Sequence, residues 1–161
     1  MQDCARHTAR MSIDEEYREW EQHLPREITD DALWTCAAYR LATFVADRAW
    51  DDLTSLGKDY RTRELASQLA GALGGIGATY AEAYSRRSYR DRRRYYEYSL
   101  GSARESRDWY FKARHIIGEQ RYLEALQLLT RIVRLLTVTI TREGPEAPPD
   151  RRKKPPRRPD E

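Results

Sequence analysis

The chain has 161 residues, of which 40% are hydrophobic and 34% charged, and its formal net charge is +3. This length accommodates one domain with a hydrophobic core but not two. No stretch is long and apolar enough to span a bilayer, and residues 1–10 lack the apolar segment of a secretory signal. Cys4 and Cys36 fit no metal or redox spacing. We therefore expect a cytoplasmic protein with reduced thiols and no membrane association.

Arginine supplies nearly all of the positive charge, since the chain has only four lysines. Basic residues concentrate between Arg86 and Arg94, and again in the tail between Arg151 and Arg158. A GC-rich coding bias explains this preference without any function. Phosphate recognition explains it equally well, because a guanidinium binds phosphate through two hydrogen bonds and stacks on bases. The composition alone leaves both explanations open.

Residues 1–30 are predicted to form an extension that precedes the main domain. Residues 1–12 are expected to be disordered. Between Ile13 and His23, apolar side chains recur at helical spacing. This pattern predicts a short amphipathic helix, which Pro25 ends.

Four long helices are predicted between residues 31 and 141, and together they define the main domain. Apolar side chains recur three and four residues apart along each of them, which places these side chains on one face. The predicted bounds are Asp31–Trp50, Thr62–Tyr84, Tyr89–Ile117 and Arg121–Thr141. Gly57 marks the first connection, and Gly118 closes helix three. Short turns between long amphipathic helices favour antiparallel neighbours, so we expect an all-α, up-down-up-down four-helix bundle.

The same periodicity assigns an inward face to helices two, three and four. For helix two the predicted inward residues are Leu65, Leu69, Leu73, Ile76 and Tyr80. For helix three they are Tyr95, Tyr98, Ser102, Trp109, Ala113 and Ile116. For helix four they are Tyr122, Leu126, Leu129, Val133, Leu136 and Ile140. Helix two also holds several glycines, each of which weakens a helix by up to about 1 kcal/mol relative to alanine. The glycines indicate close approach of another helix.

Residues 142–161 are predicted to be a disordered basic tail. The segment is rich in proline and charge, a composition that cannot form a packed core. Pro145 also cannot continue the fourth helix.

No constellation of residues points to catalysis, to a metal or to a cofactor. A di-iron bundle needs inward glutamates and Glu-x-x-His pairs, but Lys112 stands three residues before His115. The glycines between Gly71 and Gly77 lie inside a predicted helix and follow no strand, so they do not form a phosphate-binding loop. We therefore expect a protein that is not an enzyme and that has neither a metal site nor a cofactor.

The turn between helices two and three is the most distinctive segment. Cations at a helix N-terminus oppose the helix dipole, so the arginines found there do not serve helix stability. Tyrosines are interleaved with them, and this combination is typical of single-stranded nucleic-acid surfaces. Further arginines recur on one side of helix three. The predicted nucleic-acid-binding residues are Arg86, Arg87, Arg90, Arg93, Arg94, Arg104, Arg107 and Arg114. The alternative is a solvated face on which Asp91, Glu97 and Glu105 are the partners.

Several motifs, in this order, resemble those of the four helix bundle protein family. They are Ala32-Leu-Trp34, Leu65-Ala-Ser-Gln-Leu69, Gly75-Ile-Gly-Ala-Thr-Tyr-Ala-Glu-Ala-Tyr-Ser-Arg-Arg-Ser88 and Leu100-Gly-Ser-Ala-Arg-Glu-Ser-Arg-Asp-Trp-Tyr110. The family includes proteins encoded in intervening sequences of bacterial 23S ribosomal RNA genes, and the accessory variability determinant proteins of diversity-generating retroelements. The resemblance covers about residues 31 to 141.

The resemblance implies a homopentamer of four-helix bundles. Its retroelement branch implies a basic surface for RNA or single-stranded DNA, and a reverse transcriptase as a partner. The alternative is a homo-oligomeric helical scaffold or protein-interaction module with no nucleic-acid role.

Overall fold

The computed structural model describes residues 11–143, and throughout this range the regular secondary structure is helical. The α-helices are α1 (Ile13–Gln22), α2 (Arg26–Thr29), α3 (Ala37–Arg48), α4 (Trp50–Lys58), α5 (Arg63–Ser85), α6 (Tyr89–Ile117) and α7 (Glu119–Arg142). A 3-10 turn, Ala32–Thr35, precedes α3. The all-α expectation is confirmed for this part of the chain. Of the segments predicted to be disordered, residues 1–10 and 144–161, and most of the basic tail with them, lie outside the described residues. Ser12 and Arg142, which were also expected to be disordered, cap α1 and end α7.

Local sequence signals account for several helix ends. Ser12 caps α1: its hydroxyl accepts from the Glu15 N–H at 3.3 Å, and the Glu15 carboxylate accepts from the Ser12 N–H at 2.8 Å. This reciprocal pair satisfies two backbone donors that helical bonding leaves free. Gly118 separates α6 from α7 and has φ 88°, a range that favours glycine. The predicted stop at Gly118 is therefore present.

The predicted first helix is wrong as one continuous element. In its place stand the 3-10 turn, α3 and α4, with a break at Ala49. The carbonyl of Arg48 accepts from Arg121 Nη2 at 2.7 Å, so a contact distant in sequence holds the break. The predicted connection at Gly57 is also misplaced, because α4 continues through it to Lys58. Leu56 is completely buried on that last turn, and its burial favours the longer helix.

The helices pack around one hydrophobic core as a helical bundle. Helix α5 packs against α6, and α6 packs against α7, while α3 contacts both α5 and α7. Helix α4 completes the core against α5 and α6. The largest fully buried side chains include Phe44, Leu69, Tyr110, Leu129 and Ile132. Among the described helices, none has both the length and the apolar character needed to cross a membrane.

The inward face predicted for helix two is confirmed from Leu69 onward. Of the inward residues predicted for helix three only Ala113 is buried, so that predicted face is displaced around the helix. The residues that α6 buries are Tyr96, Ser99, Ala103, Ser106, Tyr110 and Ala113. Helix α5 lies very close at Ser99 and Ser102, so only small side chains fit between the two helices at these positions. The Ser99 hydroxyl donates to the Ile76 carbonyl at 2.8 Å, and a Cβ at Gly75 would lie 2.9 Å from Ser102 Oγ. The bulky Tyr98 and Trp109 therefore lie outside this contact.

The inward face predicted for helix four is partly right. Leu129, Leu136 and Ile140 are buried, but the face is centred on Leu128 and Ile132. The other three predicted residues, Tyr122, Leu126 and Val133, are half-buried at its margin. This rotation leaves Leu126 beside the outer side of α6.

A buried charge network joins α1, α3 and α7. The Arg48 side chain is only 3% exposed. Its Nε donates to both carboxylate oxygens of Glu16, at 3.0 and 3.1 Å, and its Nη2 donates to Glu124. Such a buried guanidinium requires carboxylate partners, because an unpaired charge is expensive to remove from water.

A second set of buried polar groups lies next to Arg48, around Asp52 of α4. The Asp52 carboxylate accepts from Arg121 Nε at 2.5 Å and from the Tyr110 hydroxyl at 3.0 Å. Burial raises the pKa of Tyr110, so its hydroxyl remains protonated and can donate. These contacts tie α4 to α6 and α7, directly after the break at Ala49.

Candidate nucleic-acid interface

The turn between α5 and α6 is held in place by Arg92. Its Nη1 donates to the Arg87 carbonyl at 3.0 Å, and its Nε donates to Glu143 Oε2 at 2.9 Å. The Arg92 side chain is 13% exposed and so differs from its exposed neighbours. It therefore acts as a positioning residue that links the turn to the end of α7.

Five of the predicted binding residues are exposed on this turn and on the first turns of α6. We call them the turn cluster: Arg86, Arg87, Arg90, Arg93 and Arg94. Three members pair with nearby carboxylates: Arg86 with Glu82, Arg93 with Glu97 and Arg94 with Asp91. The hydrogen bond that Arg86 donates to Glu82 raises the pKa of Arg86 further above neutrality, so its positive charge is retained.

The other two members of the turn cluster have no carboxylate partner within residues 11–143. Arg87 offers its side chain to solvent, and Arg90 Nε donates to the Tyr89 hydroxyl at 3.3 Å. The solvated-face interpretation thus describes Arg93 and Arg94 but not Arg87 and Arg90. Glu105, the third expected partner, accepts instead from Trp109 Nε1 at 3.1 Å.

Tyr95 lies between two guanidiniums of the turn cluster. The Cζ atoms of Arg86 and Arg94 are 4.6 and 5.5 Å from the centre of its ring. Arg86 Nη2 also donates to the Tyr95 hydroxyl at 3.0 Å. Tyr98 meets the Tyr95 ring edge-on, with 5.6 Å between the ring centres. Arginines and tyrosines therefore share one exposed surface, as surfaces that bind single-stranded nucleic acid do.

The remaining predicted residues continue along the outer side of α6. We call them the α6 stripe: Arg104, Arg107 and Arg114. Seven residues make almost two helical turns, so residues separated by multiples of seven face the same side. Arg107 and Arg114 are related in this way to Arg93, and Arg104 is related to Arg90. From Arg90 to Arg114 the helix rises about 36 Å, so the cluster and the stripe form one long cationic side.

A groove that the sequence did not reveal lies beside the α6 stripe. This α6–α7 groove has a volume of about 340 Å³ and is lined by Arg104, Arg107, Asp108, Phe111 and Leu126. Phe111 is an exposed aromatic residue, and the Cζ atom of Arg114 lies 4.1 Å from its ring centre. The only hint in the sequence was the position of Phe111 between Arg107 and Arg114, four and three residues away.

Potential metal ligands are scattered in the part of the chain that the structure describes. Within residues 11–143, no three histidine, cysteine, aspartate or glutamate side chains gather closely enough to hold a metal ion. Cys36 is half-buried, and His115 is exposed near the end of α6.

The family described as 23S rRNA-intervening sequence protein matches residues 35–138 of the chain. Comparison with curated proteins and with solved structures found no match. The matched range covers α3 to α6 and most of α7, so it contains every residue of the turn cluster and the α6 stripe. Helix α1 lies outside it.

Proposed function

Because the chain belongs to the family of 23S rRNA-intervening sequence proteins, we propose that it is an oligomeric, non-enzymatic protein that binds RNA or single-stranded DNA. The binding surface is the long cationic side formed by the turn cluster and the α6 stripe. The observation that carries this proposal is the set of arginines that are available for phosphate. Among the arginines of the turn cluster and the α6 stripe, the following have no carboxylate partner within residues 11–143: Arg87, Arg90, Arg104, Arg107 and Arg114.

The arginines that do have partners remain available to a competing ligand. Arg86, Arg93 and Arg94 pair with carboxylates at the surface, and exposed pairs of this kind contribute only about 0–1 kcal/mol. A nucleic-acid phosphate offers a guanidinium two strong hydrogen bonds. Exchanging a carboxylate for a phosphate therefore costs these arginines little free energy. The whole cationic side can then serve as one binding surface.

We expect charge reversal in the turn cluster to weaken RNA binding. Each phosphate contact on a single strand contributes about 0.7 to the slope of log affinity against log salt. Combining Arg87→Glu with Arg90→Glu should therefore lower the affinity and reduce that slope by about 1.4. The measurement is fluorescence anisotropy of a labelled single-stranded RNA across a salt series.

The matched control combines Arg18→Glu with Arg26→Glu, which changes the net charge equally. Both residues are exposed, and they lie on α1 and α2. This control should bind RNA nearly as the wild type does. If the wild type fails to bind RNA or single-stranded DNA at about 50 mM salt, or if the two variants behave alike, the nucleic-acid proposal is wrong.

The subunit of the proposed oligomer is an antiparallel four-helix bundle. Two contacts support this arrangement: Ile76 meets Ser99, and Tyr80 meets Tyr96, so positions on α5 and α6 run in opposite senses. The first helix of such a bundle corresponds to α3 and α4 together, and the others are α5, α6 and α7.

The outer face of α5 supports assembly into a homo-oligomer, for which the resemblance implies a pentamer. This face exposes only small residues at Ala70, Gly71, Gly74 and Ala78. A Cβ built at Gly71 or Gly74 would meet nothing within 4 Å. Each glycine weakens the helix by about 1 kcal/mol relative to alanine. Close packing against another copy would offset that loss.

Adding side chains to this face should dissociate the oligomer. Combining Gly71→Leu with Gly74→Leu is expected to give a folded monomer, because two leucines would hold the neighbouring helix away. Gly101→Leu is the control, since Gly101 is also an exposed helical glycine with nothing within 4 Å of a built Cβ. Light scattering measures the molar mass of each variant. A wild-type monomer at micromolar concentration would contradict the assembly proposal.

A reverse transcriptase as a partner belongs to the same proposal and rests on the resemblance to accessory variability determinant proteins. The competing function is a helical scaffold without a nucleic-acid role, which the small-residue face of α5 also supports. Purification of the tagged protein from its host, followed by sequencing of bound RNA and identification of bound proteins, distinguishes the two. Bound RNA supports the first function, and proteins without RNA support the second.

A further inference from the structure

The α6–α7 groove has the features of a site for an unpaired nucleobase. We propose that Phe111 stacks on such a base while Arg104 and Arg107 bind the phosphates that flank it. This inference rests on the proposed nucleic-acid function and narrows its ligand to single-stranded segments. It assigns a role to a groove beside the stripe rather than to the turn cluster.

Phe111 presents an aromatic surface in a fixed place. Phe111 is 50% exposed and lies in the last two turns of α6. Arg114 holds its guanidinium against the ring, with Cζ 4.1 Å from the ring centre. Arg114 Nη1 also donates to the Phe111 carbonyl at 2.7 Å, so the guanidinium is anchored there. A phenyl ring and an adjoining guanidinium both stack favourably on nucleobases.

The charge around the ring favours a polyanion. Arg104 and Arg107 are exposed and have no carboxylate partner among the described residues. Asp108 is the one carboxylate that lines the groove, and Lys112 neutralises it through an ion pair. The arginines are thus left uncompensated, and they lie on the same groove as the aromatic ring. Phosphates on both sides of a stacked base would meet them.

The size and lining of the groove agree with a base as occupant. Its volume of about 340 Å³ falls within the range of about 300–1,000 Å³ for small-ligand pockets. Leu126 of α7 provides apolar surface opposite Phe111, and the arginines form the polar rim. A nucleotide has matching apolar and charged parts, because its planar base is joined to charged phosphates.

The test uses the full-length protein and three labelled probes. These are a single-stranded 12-mer RNA, the same 12-mer without bases, and the corresponding RNA duplex. Stacking contributes a factor of about 5 to 150 in affinity for each base. Phe111→Ala should therefore weaken binding of the single strand by about that factor, with an unchanged salt slope. Binding of the abasic strand and of the duplex should not respond, since neither offers an unpaired base.

Two further variants make the test specific to the ring and to its position. Phe111→Tyr keeps an aromatic ring and should retain the wild-type affinity for the single strand. Tyr98→Ala removes an aromatic residue of the same helix with similar exposure, 52%, outside the groove. It should lower affinity less than Phe111→Ala does. Arg104→Gln combined with Arg107→Gln should weaken binding of all three probes and reduce the salt slope.

Three results would overturn the inference. If Phe111→Ala binds the single strand as tightly as the wild type does, the stacking site is wrong. The proposed function is not affected by that result. A fall in molar mass with unchanged RNA affinity in Phe111→Ala would assign the groove to a contact between copies. Absence of binding by the wild type to every probe would overturn the proposed function and this site together.

Discussion

Leu129→Ala is expected to lower the free energy of unfolding by about 2–5 kcal/mol. Leu129 is completely buried on the inward face of α7. Removing its side-chain methyl groups forfeits their burial and leaves a cavity that neighbouring helices can fill only in part. The measurement is urea denaturation at a fixed protein concentration, because assembly would otherwise contribute to the apparent stability.

Leu123 provides the matched control on the same helix. It is 42% exposed, so Leu123→Ala should change the free energy of unfolding by no more than about 0.5 kcal/mol. Leu69→Ala on α5 should behave as Leu129→Ala does, since Leu69 is also completely buried. Equal losses for Leu123→Ala and Leu129→Ala would contradict the orientation of α7 in the bundle.

Removing both carboxylate partners of Arg48 should destabilise the fold by about 3–5 kcal/mol. Glu16→Gln and Glu124→Gln keep acceptor oxygens near the guanidinium but remove the compensating charge. Arg48 would then carry an unpaired positive charge in an almost fully buried position. The same urea titration measures the loss.

The expected rescue separates the charge effect from a packing effect. Adding Arg48→Met to the double variant replaces the stranded charge with an apolar side chain of similar length. Replacement of a buried ion set by apolar residues is often neutral or stabilising, so much of the lost stability should return. A double variant as stable as the wild type, or a triple variant less stable than the double, would show that Arg48 does not depend on these carboxylates.

Hydrophobic periodicity predicted the long helices well and their fine structure less well. The predicted Thr62–Tyr84 and Arg121–Thr141 differ from α5 and α7 by only one or two residues at each end. The break at Ala49 was not predictable from local pattern, because the Arg121 side chain that holds it lies far along the chain. For α6 the predicted inward face was displaced: Tyr96 and Tyr110 are buried instead of Tyr98 and Trp109, and close packing on α5 brings the small Ser99 and Ala103 inside.

The candidate site was predictable to the same degree. Helical spacing predicted that Arg104, Arg107 and Arg114 recur on one side of helix three, because that spacing depends only on helix geometry, and their role in binding stays a prediction. Two of the three carboxylate partners expected from the sequence, Asp91 and Glu97, pair with Arg94 and Arg93. Glu105 accepts from Trp109 instead, because pairing also depends on side-chain conformation. The α6–α7 groove requires Leu126 from another helix, and no pattern within α6 could indicate it.

The resemblance noted from the motifs is confirmed by the family match. The longest motifs, Gly75–Ser88 and Leu100–Tyr110, lie entirely within the matched range of residues 35–138. The first of them forms the end of α5 and the turn that leads to α6. The second forms the middle of α6, where Ala103 and Ser106 are buried against the core and Arg104 and Arg107 face solvent. The motifs therefore hold both the close α5–α6 contact and part of the cationic side.

The network around Arg48 shows that the folded unit includes residues outside the range of the family match. Shared ancestry is visible from residue 35 onward, yet Glu16 of α1 is a partner of Arg48, and Tyr17 and Trp20 pack on Phe44. A fragment trimmed to the matched range would uncover an aromatic surface and leave Arg48 with Glu124 alone. Helix α1 thus supports the bundle although it lies outside the matched range. Fragments for biochemical study should therefore begin before its cap at Ser12.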